Sequence, residues 1–150
     1  MKDNYIYYGI FLTAESRHKI IYEVSNMEFY NELMKRSSRM LVDHCTLLHS
    51  SQEKNYPSVK EQLVRMENDM AGMATELIPM LVNRIGYLNN KVMAVGVDLK
   101  NTIPCANVYP HITICTFADG KPVDSNDIIA WNEIEYPFYV YGEFRKVMKR

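Results

Sequence analysis

The chain has 150 residues, 47% apolar and 23% charged, a globular composition that excludes a disordered tail or a fibrous repeat. This length predicts one domain over residues 1–150. Seventeen Lys and Arg against eighteen Asp and Glu leave a formal charge of −1, which argues against duplex DNA or long RNA as partner and allows a small phosphate-bearing one.

The first third of the chain predicts alternating strands and helices. Residues 5–12 are aromatic and β-branched, which is typical of a buried strand, and Thr13 is placed to cap a helix over residues 14–24. Residues 26–39 have a mixed pattern that allows a second helix. Residues 41–48 predict a strand that ends in a polar loop.

The clearest helix signal begins at Pro57. Ser58 and Glu61 have the spacing of a capping box, and an apolar stripe follows at four-three intervals. The stripe consists of Val59, Leu63, Met66, Met70 and Met73. Such a stripe is typical of a helix face that packs on the core.

The second half of the chain predicts mostly strands. Two apolar runs flank Asn89 and Asn90, which tolerate positive φ, so a hairpin is expected there. The predicted elements are the hairpin strands 76–87 and 92–99, a loop at 101–110, a strand at 111–117, a capped helix at 125–131 and a strand at 137–144. This order predicts an α+β fold with an antiparallel or mixed sheet.

Signatures of cofactor and metal sites are absent from the sequence. There is no GxGxxG, no GxxxxGK[ST] and no HExxH, and three cysteines without a CxxC pair favour neither a disulfide framework nor a zinc site. No apolar run approaches the length of a membrane span. We therefore expect a soluble intracellular protein without cofactor, metal or membrane partner.

Two predicted strands carry nearly the same motif. His44 and Thr46 are two residues apart, as are His111 and Thr113, so in each strand an imidazole and a hydroxyl point to the same face. Two imidazoles can serve as base and acid in attack on a phosphodiester. Two hydroxyls can donate to the phosphate oxygens on which charge concentrates, so this chemistry requires no metal.

The paired H-x-T motifs resemble those of the two-histidine (2H) phosphoesterase superfamily. The opening YYGIFLTAES and the segments DHCTLLH and YPHITICTF are most similar to the phage anti-CBASS nucleases, which destroy cyclic oligonucleotide alarm signals. The resemblance implies two pseudo-symmetric α+β lobes with flanking helices and an active-site groove between them. It also implies cytoplasmic action in an infected bacterial host.

The resemblance further implies that His44, Thr46, His111 and Thr113 form the catalytic set. It implies cleavage of 3′–5′ linkages in cyclic di- or trinucleotides without metal, with the adjacent ribose 2′-hydroxyl as nucleophile. The motifs are nearly symmetric, so the sequence does not tell which His is base and which is acid. Base specificity and oligomeric state also stay open.

The residues around the motifs give weaker candidates. Tyr109, two positions before His111, is placed to stack on a base, and Glu143 to accept from an adenine amino group. Strand alternation predicts that Asp43 faces away from His44 and that His49 lies on the opposite face, at a rim.

Two alternatives compete with cyclic oligonucleotide cleavage. One is an RNA-repair phosphodiesterase that opens 2′,3′-cyclic phosphate ends. The other is a non-catalytic sponge that binds cyclic nucleotides and would not need both motif histidines.

Overall fold

In the computed structural model, the described residues are 4–70 and 76–149. The α-helices are α1 (Ala14–Ser25), α2 (Glu28–Lys35) and α3 (Pro57–Met70), and 3₁₀ helices span Ser50–Asn55 and Pro122–Asp127. The strands are β1 (Tyr5–Leu12), β2 (Arg39–Met40), β3 (His44–His49), β4 (Ile78–Leu88), β5 (Val92–Asp98), β6 (His111–Thr116) and β7 (Trp131–Met148).

The strands form one antiparallel sheet that closes on itself. Their order is β2-β6-β3-β1-β7-β4-β5, and β5 also pairs with β6, so six of the strands make a barrel-like ring. The short β2 continues along the edge of β6 beside β3. The fold is thus the expected α+β class, with antiparallel pairing throughout the described strands.

The ring consists of two halves that share the long strand β7. Residues 142–148 of β7 pair with β1, whereas residues 131–142 pair with β4. On the opposite side of the ring the halves meet where β3 pairs with β6 through Cys45 and Ile112. The two H-x-T strands therefore lie side by side where the two halves meet, as expected for a fold of two lobes.

The apolar core packs buried residues of the helices, such as Ile20 and Leu63, against one face of the sheet. The apolar residues of the two motif strands are all fully buried on that face: Cys45, Leu47, Ile112 and Ile114. Burial of this face turns the alternate residues of β3 and β6, which include the motif His and Thr, toward the opposite face of the sheet. The core therefore positions the site through strand alternation.

Most predicted elements are confirmed, with bounds that shift by a few residues. The strand at 5–12, the Thr13 cap, the helix over 28–35 and the hairpin turn at Asn90, where φ is 60°, all form. Thr13 Oγ1 accepts from Ser16 N at 3.1 Å, which ends the strand and begins α1.

Three predictions of local structure are wrong. The helix α3 begins at Pro57, so Ser58 lies inside the first turn, where its hydroxyl accepts from Gln62 instead of capping. Residues 41–43 precede β3 rather than belong to it, because Val42 has a φ of 50°. Met73 of the predicted stripe lies outside the described residues.

The third error concerns the segment after residue 121. A 3₁₀ helix at Pro122–Asp127 takes the place of the predicted helix at 125–131, and β7 begins at Trp131. The register between β4 and β7 shifts between Val82 and Arg84, so residues 134–137 bulge out. Pro137, which has no N–H to donate, lies in that bulge, and this explains how β7 contains a proline.

Candidate active site

The two motifs converge on one face of the sheet, opposite the apolar core. Cys45 pairs with Ile112 across antiparallel strands, so His44 lies opposite Thr113 and Thr46 opposite His111. All four side chains are partly exposed and line one cavity of about 570 Å³. The structure thus brings together the four residues that the motifs predict.

Polar side chains from the neighbouring segments complete this cavity. Arg39 comes from β2, His49 from the end of β3 and Asn107 from the loop before β6, and the two 3₁₀ helices supply the rest. These polar lining residues are Arg39, His49, Ser51, Gln52, Asn107 and Asn126. The cavity has the size of a small-ligand site and a lining rich in hydrogen-bonding groups.

The ring of His44 packs against two neighbouring aromatic side chains of β1, Tyr7 and Phe11, whose own centroids are 6.1 Å apart. The rings of Tyr7 and Phe11 each stack on the imidazole at 5.0 Å between centroids. Gly9 lies between them on the same face, where a Cβ would come within 3.5 Å of both rings. The sequence YYGIF therefore builds an aromatic wall that fixes the orientation of His44.

Asp43 contacts His44, contrary to the prediction from strand alternation. Asp43 Oδ2 lies 3.2 Å from His44 Nδ1. The prediction is wrong because β3 begins only at His44, and the left-handed Val42 just before it breaks the alternation. The carboxylate accepts from Nδ1 and leaves Nε2 of His44 available to the cavity.

Arg17 of α1 holds the backbone that leads into β3. Its Nε donates to the carbonyl of Val42 at 2.7 Å, and its Nη2 donates to that of Leu41 at 3.2 Å. The N–H of Val42 donates to the Thr113 carbonyl on β6 at 3.0 Å. These contacts stabilise a β-branched residue in a conformation that such residues rarely adopt.

His111 is oriented by the backbone of its own loop. Its Nδ1 donates to the carbonyl of Tyr109 at 2.9 Å, so in the neutral ring Nε2 carries the lone pair. Burial lowers the pKa of His111 below its ordinary value, and the positive charges of Arg84 and of protonated His44 add to this lowering, whereas the hydrogen bond to the Tyr109 carbonyl partly opposes it. Near pH 7 this imidazole is therefore neutral.

A row of paired residues brings Arg84 to His111. Gly96 on β5 pairs with Arg84 on one side and with His111 on the other. A Cβ at Gly96 would come within 2.3 Å of the Arg84 side chain, so the glycine leaves the gap through which that side chain crosses β5. Beyond it, Arg84 Nη2 donates to the Pro110 carbonyl at 3.1 Å, next to His111.

The motif threonines have different surroundings. Thr113 Oγ1 lies 2.8 Å from the hydroxyl of Ser125, a buried residue of the second 3₁₀ helix. When the Ser125 hydroxyl donates to Thr113 Oγ1, the hydroxyl hydrogen of Thr113 can be donated to a ligand. The backbone carbonyl of Thr46 accepts from Asn107 Nδ2 at 3.4 Å, which ties the loop before β6 to β3.

His49 lies on the cavity side of β3, because a bulge overturns the predicted alternation. Tyr8 pairs with Leu48 and Gly9 with Thr46, so Leu47 is the extra residue and both leucines are buried. His49 Nδ1 accepts from the N–H of Ser51 at 3.1 Å. In the neutral ring its Nε2 therefore carries a hydrogen that can be donated.

The two weaker candidates lie outside this cavity. Tyr109 lines a neighbouring cavity and serves His111 through its backbone carbonyl. Glu143 accepts from Arg145 Nη2 at 2.8 Å and pairs through its backbone with Phe11, so it lies beyond the aromatic wall. Their proposed contacts with a base stay predictions.

The described residues lack two kinds of feature. Among residues 4–70 and 76–149, no group of three or more His, Cys, Asp or Glu side chains is arranged to hold a metal ion. Within the same residues, no helix has the length and apolarity needed to cross a membrane.

Residues 14–137 match the family model of the fungal tRNA ligase phosphodiesterase domain. The chain belongs to this family. Its fold is also similar to that of a solved structure described as a fungal RNA kinase, with a TM-score of 0.68 and 16% sequence identity. That match covers 99% of this chain and 46% of the other, so this chain spans less than half the length of its structural relative. No curated protein sequence matches it.

Membership of the tRNA ligase phosphodiesterase family indicates phosphodiesterase activity of the 2H type. His111, neutral near pH 7, and His44, which has a carboxylate at its Nδ1, line the same cavity and are the groups there that can take up or give protons. Sequence reasoning missed Tyr7, Arg84 and Ser125. Only for Tyr7 did the sequence carry an indication of its place, because residues 7, 9 and 11 of one strand lie on the same face.

Proposed function

We propose that this chain hydrolyses 2′,3′-cyclic phosphates at RNA ends, with His111 as base, His44 as acid, and Thr46 and Thr113 as phosphate-binding donors. The observation that carries the proposal is the convergence of both H-x-T motifs on one cavity in a chain of the tRNA ligase phosphodiesterase family. The proposed reaction uses no metal or other cofactor.

The base is assigned to His111 because its neutral state and its tautomer suit proton abstraction. Its Nδ1 donates to the Tyr109 carbonyl, and the lowered pKa keeps Nε2 unprotonated near neutral pH. Nε2 takes a proton from a water molecule as that oxygen forms a bond to phosphorus.

The acid is assigned to His44 because the Asp43 carboxylate, 3.2 Å from Nδ1, is a partner for the protonated ring. As the bond between phosphorus and one ribose oxygen breaks, His44 Nε2 gives its proton to that oxygen. The products are a ribose hydroxyl and a phosphate monoester, and the two histidines exchange protonation states.

Cleavage of cyclic oligonucleotides, as in the phage anti-CBASS nucleases, is the second candidate. The formal charge of −1 favours it, since a protein that tracks long RNA gains affinity from a basic excess. On such a substrate the nucleophile is a ribose 2′-hydroxyl already held near phosphorus, with the same two histidines as base and acid. A cyclic-nucleotide sponge would bind the same ligands without turnover.

One experiment separates these functions. The protein is incubated, with and without excess chelator, with a short RNA ending in 2′,3′-cyclic phosphate and with a panel of cyclic dinucleotides. Hydrolysis of the RNA end adds the mass of one water, whereas 2′-hydroxyl attack opens a cyclic dinucleotide without changing its mass, so products are separated by chromatography before mass analysis. We expect hydrolysis of the RNA end at a rate that chelator does not change. Binding without product would support the sponge.

The row formed by Arg84, Gly96 and His111 gives a prediction on pH dependence. In Gly96→Ala the new methyl group displaces the Arg84 side chain, so His111 loses a positive neighbour and its pKa rises. The base is then protonated up to a higher pH. We expect the acid limb of the kcat/KM profile to move to higher pH while the basic limb stays.

The matched variants test whether charge causes this shift. Arg84→Met should move the acid limb in the same direction, and Arg84→Lys should move it less. Burial is the larger cause of the lowered pKa, so the shift is partial. An unchanged acid limb in both Gly96→Ala and Arg84→Met would show that Arg84 does not tune His111.

A further inference from the structure

A second cavity, of about 650 Å³, adjoins the one that the motifs line. It lies between α3, the strands β4 and β5, and the loop that precedes β6. Asn107 lines both cavities, and Tyr109 of the second cavity is two residues from His111 of the first. A ligand that fills both would therefore extend only a short distance from the reacting phosphate.

The lining of this second cavity is polar but carries little positive charge. Its hydrogen-bonding residues include Gln62, Asn83, Asp98, Asn101, Thr102 and Asn107. Amide side chains pair with the edges of nucleobases, and a carboxylate accepts from an exocyclic amine. Arg84 is the cation of the described lining, and it already donates to Asn83 Oδ1 and to the Pro110 carbonyl. The Asp98 carboxylate is paired with Lys100 Nζ at 3.7 Å, so a base fits this cavity better than a second phosphate does.

Tyr109 gives this cavity an aromatic surface. The residue is 53% exposed, and the guanidinium of Arg84 lies 5.7 Å from its ring centroid. Arg84 is itself fixed by Asn83 Oδ1 at 3.0 Å and by the Pro110 carbonyl, so the ring has a rigid neighbour. An exposed tyrosine supported in this way suits base stacking.

We propose that the second cavity binds the nucleobase of the nucleotide that precedes the reacting one, with Tyr109 stacking on that base. The proposal rests on the proposed function, because it places the base relative to a 2′,3′-cyclic phosphate held between His44 and His111. The minimal substrate that uses the whole site is then a dinucleotide with a cyclic phosphate end.

The experiment compares kcat/KM for three substrates: a nucleoside 2′,3′-cyclic phosphate, the dinucleotide that adds one nucleotide on its 5′ side, and the same dinucleotide with an abasic 5′ residue. Stacking on one aromatic side chain contributes about 1–3 kcal/mol per base, so we expect kcat/KM of the full dinucleotide to exceed that of the mononucleotide by about 5- to 150-fold. The abasic dinucleotide should fall close to the mononucleotide, because it keeps the extra phosphate but has no base.

The variant that tests the assignment is Tyr109→Leu, which keeps the backbone carbonyl that orients His111. It should reduce the ratio of dinucleotide to mononucleotide kcat/KM toward one, and Tyr109→Phe should retain most of that ratio. Tyr22→Leu, at an exposed position of α1, is the matched control and should leave the ratio unchanged.

The possible failures are distinguishable. Equal kcat/KM values for the mononucleotide and the full dinucleotide in the wild-type protein would overturn this inference and leave the proposed function standing. An abasic dinucleotide as good as the full one would assign the cavity to the phosphate backbone instead and would also overturn it. If the protein opens none of the three substrates, the proposed function is wrong and this inference falls with it.

Discussion

Replacing His44 or His111 by alanine should each lower kcat/KM by about 10²–10⁴-fold, the usual contribution of a general acid or base. The double variant should be little slower than either single variant, since acid and base act in the same step. Steady-state rates on a 2′,3′-cyclic phosphate substrate measure this directly. His18→Ala, on the exposed face of α1, is the matched control and should retain wild-type activity.

The pH profile separates the two roles. In the wild-type protein, kcat/KM should be bell-shaped, with an acid limb below the ordinary histidine pKa of about 6.5 because the pKa of His111 is lowered. In the residual activity of His111→Ala the acid limb should disappear, and in that of His44→Ala the basic limb should disappear. Near-wild-type turnover in either single variant would contradict the assignment, and exchange of the two limbs would reverse the roles of base and acid.

The convergence of the motifs was predictable because it depends on the period-two alternation of strands. Cys45 and Ile112 are apolar, so burial of their face presents the motif His and Thr to the other side without further information. Pairing of β3 with β6 is a long-range contact that sequence alone does not show, and the family resemblance supplied it.

The surroundings of the motif histidines depend on breaks in that alternation. The left-handed Val42 turns Asp43 toward His44, and a bulge at Leu47 turns His49 toward the cavity. Both breaks are stabilised by partners far away in the chain, such as Arg17 for Val42. Rules that consider only neighbouring residues therefore predict the wrong face for Asp43 and His49.

The contacts that Arg84 makes beside His111 and that Ser125 makes with Thr113 could not be predicted from the sequence, for another reason. Arg84 reaches Pro110 only because Gly96, on the strand between them, has no side chain, and Ser125 meets Thr113 only through a 3₁₀ helix. A lone Gly in an apolar strand and a Ser in a polar segment carry no signal of such contacts. The contact of Arg84 with Pro110 depends on strand register, and that of Ser125 with Thr113 depends on the path of a loop. Tertiary packing determines register and loop path alike.

Replacing Thr46 or Thr113 by valine should lower kcat by about 10²–10³-fold, as is typical when a donor to a developing negative charge is lost. Valine keeps the branched shape, so the strands and the cavity should persist. Thr46→Ser and Thr113→Ser keep the hydroxyl and should lose much less rate. Thermal unfolding of each variant shows whether the fold is intact, and single-turnover rates measure the chemical step.

The contact between Thr113 and Ser125 makes the two threonines unequal. Ser125→Ala removes the partner 2.8 Å from Thr113 Oγ1, so the Thr113 hydroxyl loses its orientation and kcat should fall, though by less than in Thr113→Val. Because Ser125 is buried, its variant should also be less stable, and Ser125→Thr, which keeps the hydroxyl, should recover part of the rate. Equal losses for the valine and serine variants at either threonine would show that packing rather than hydrogen bonding to phosphate explains why the motif contains threonine.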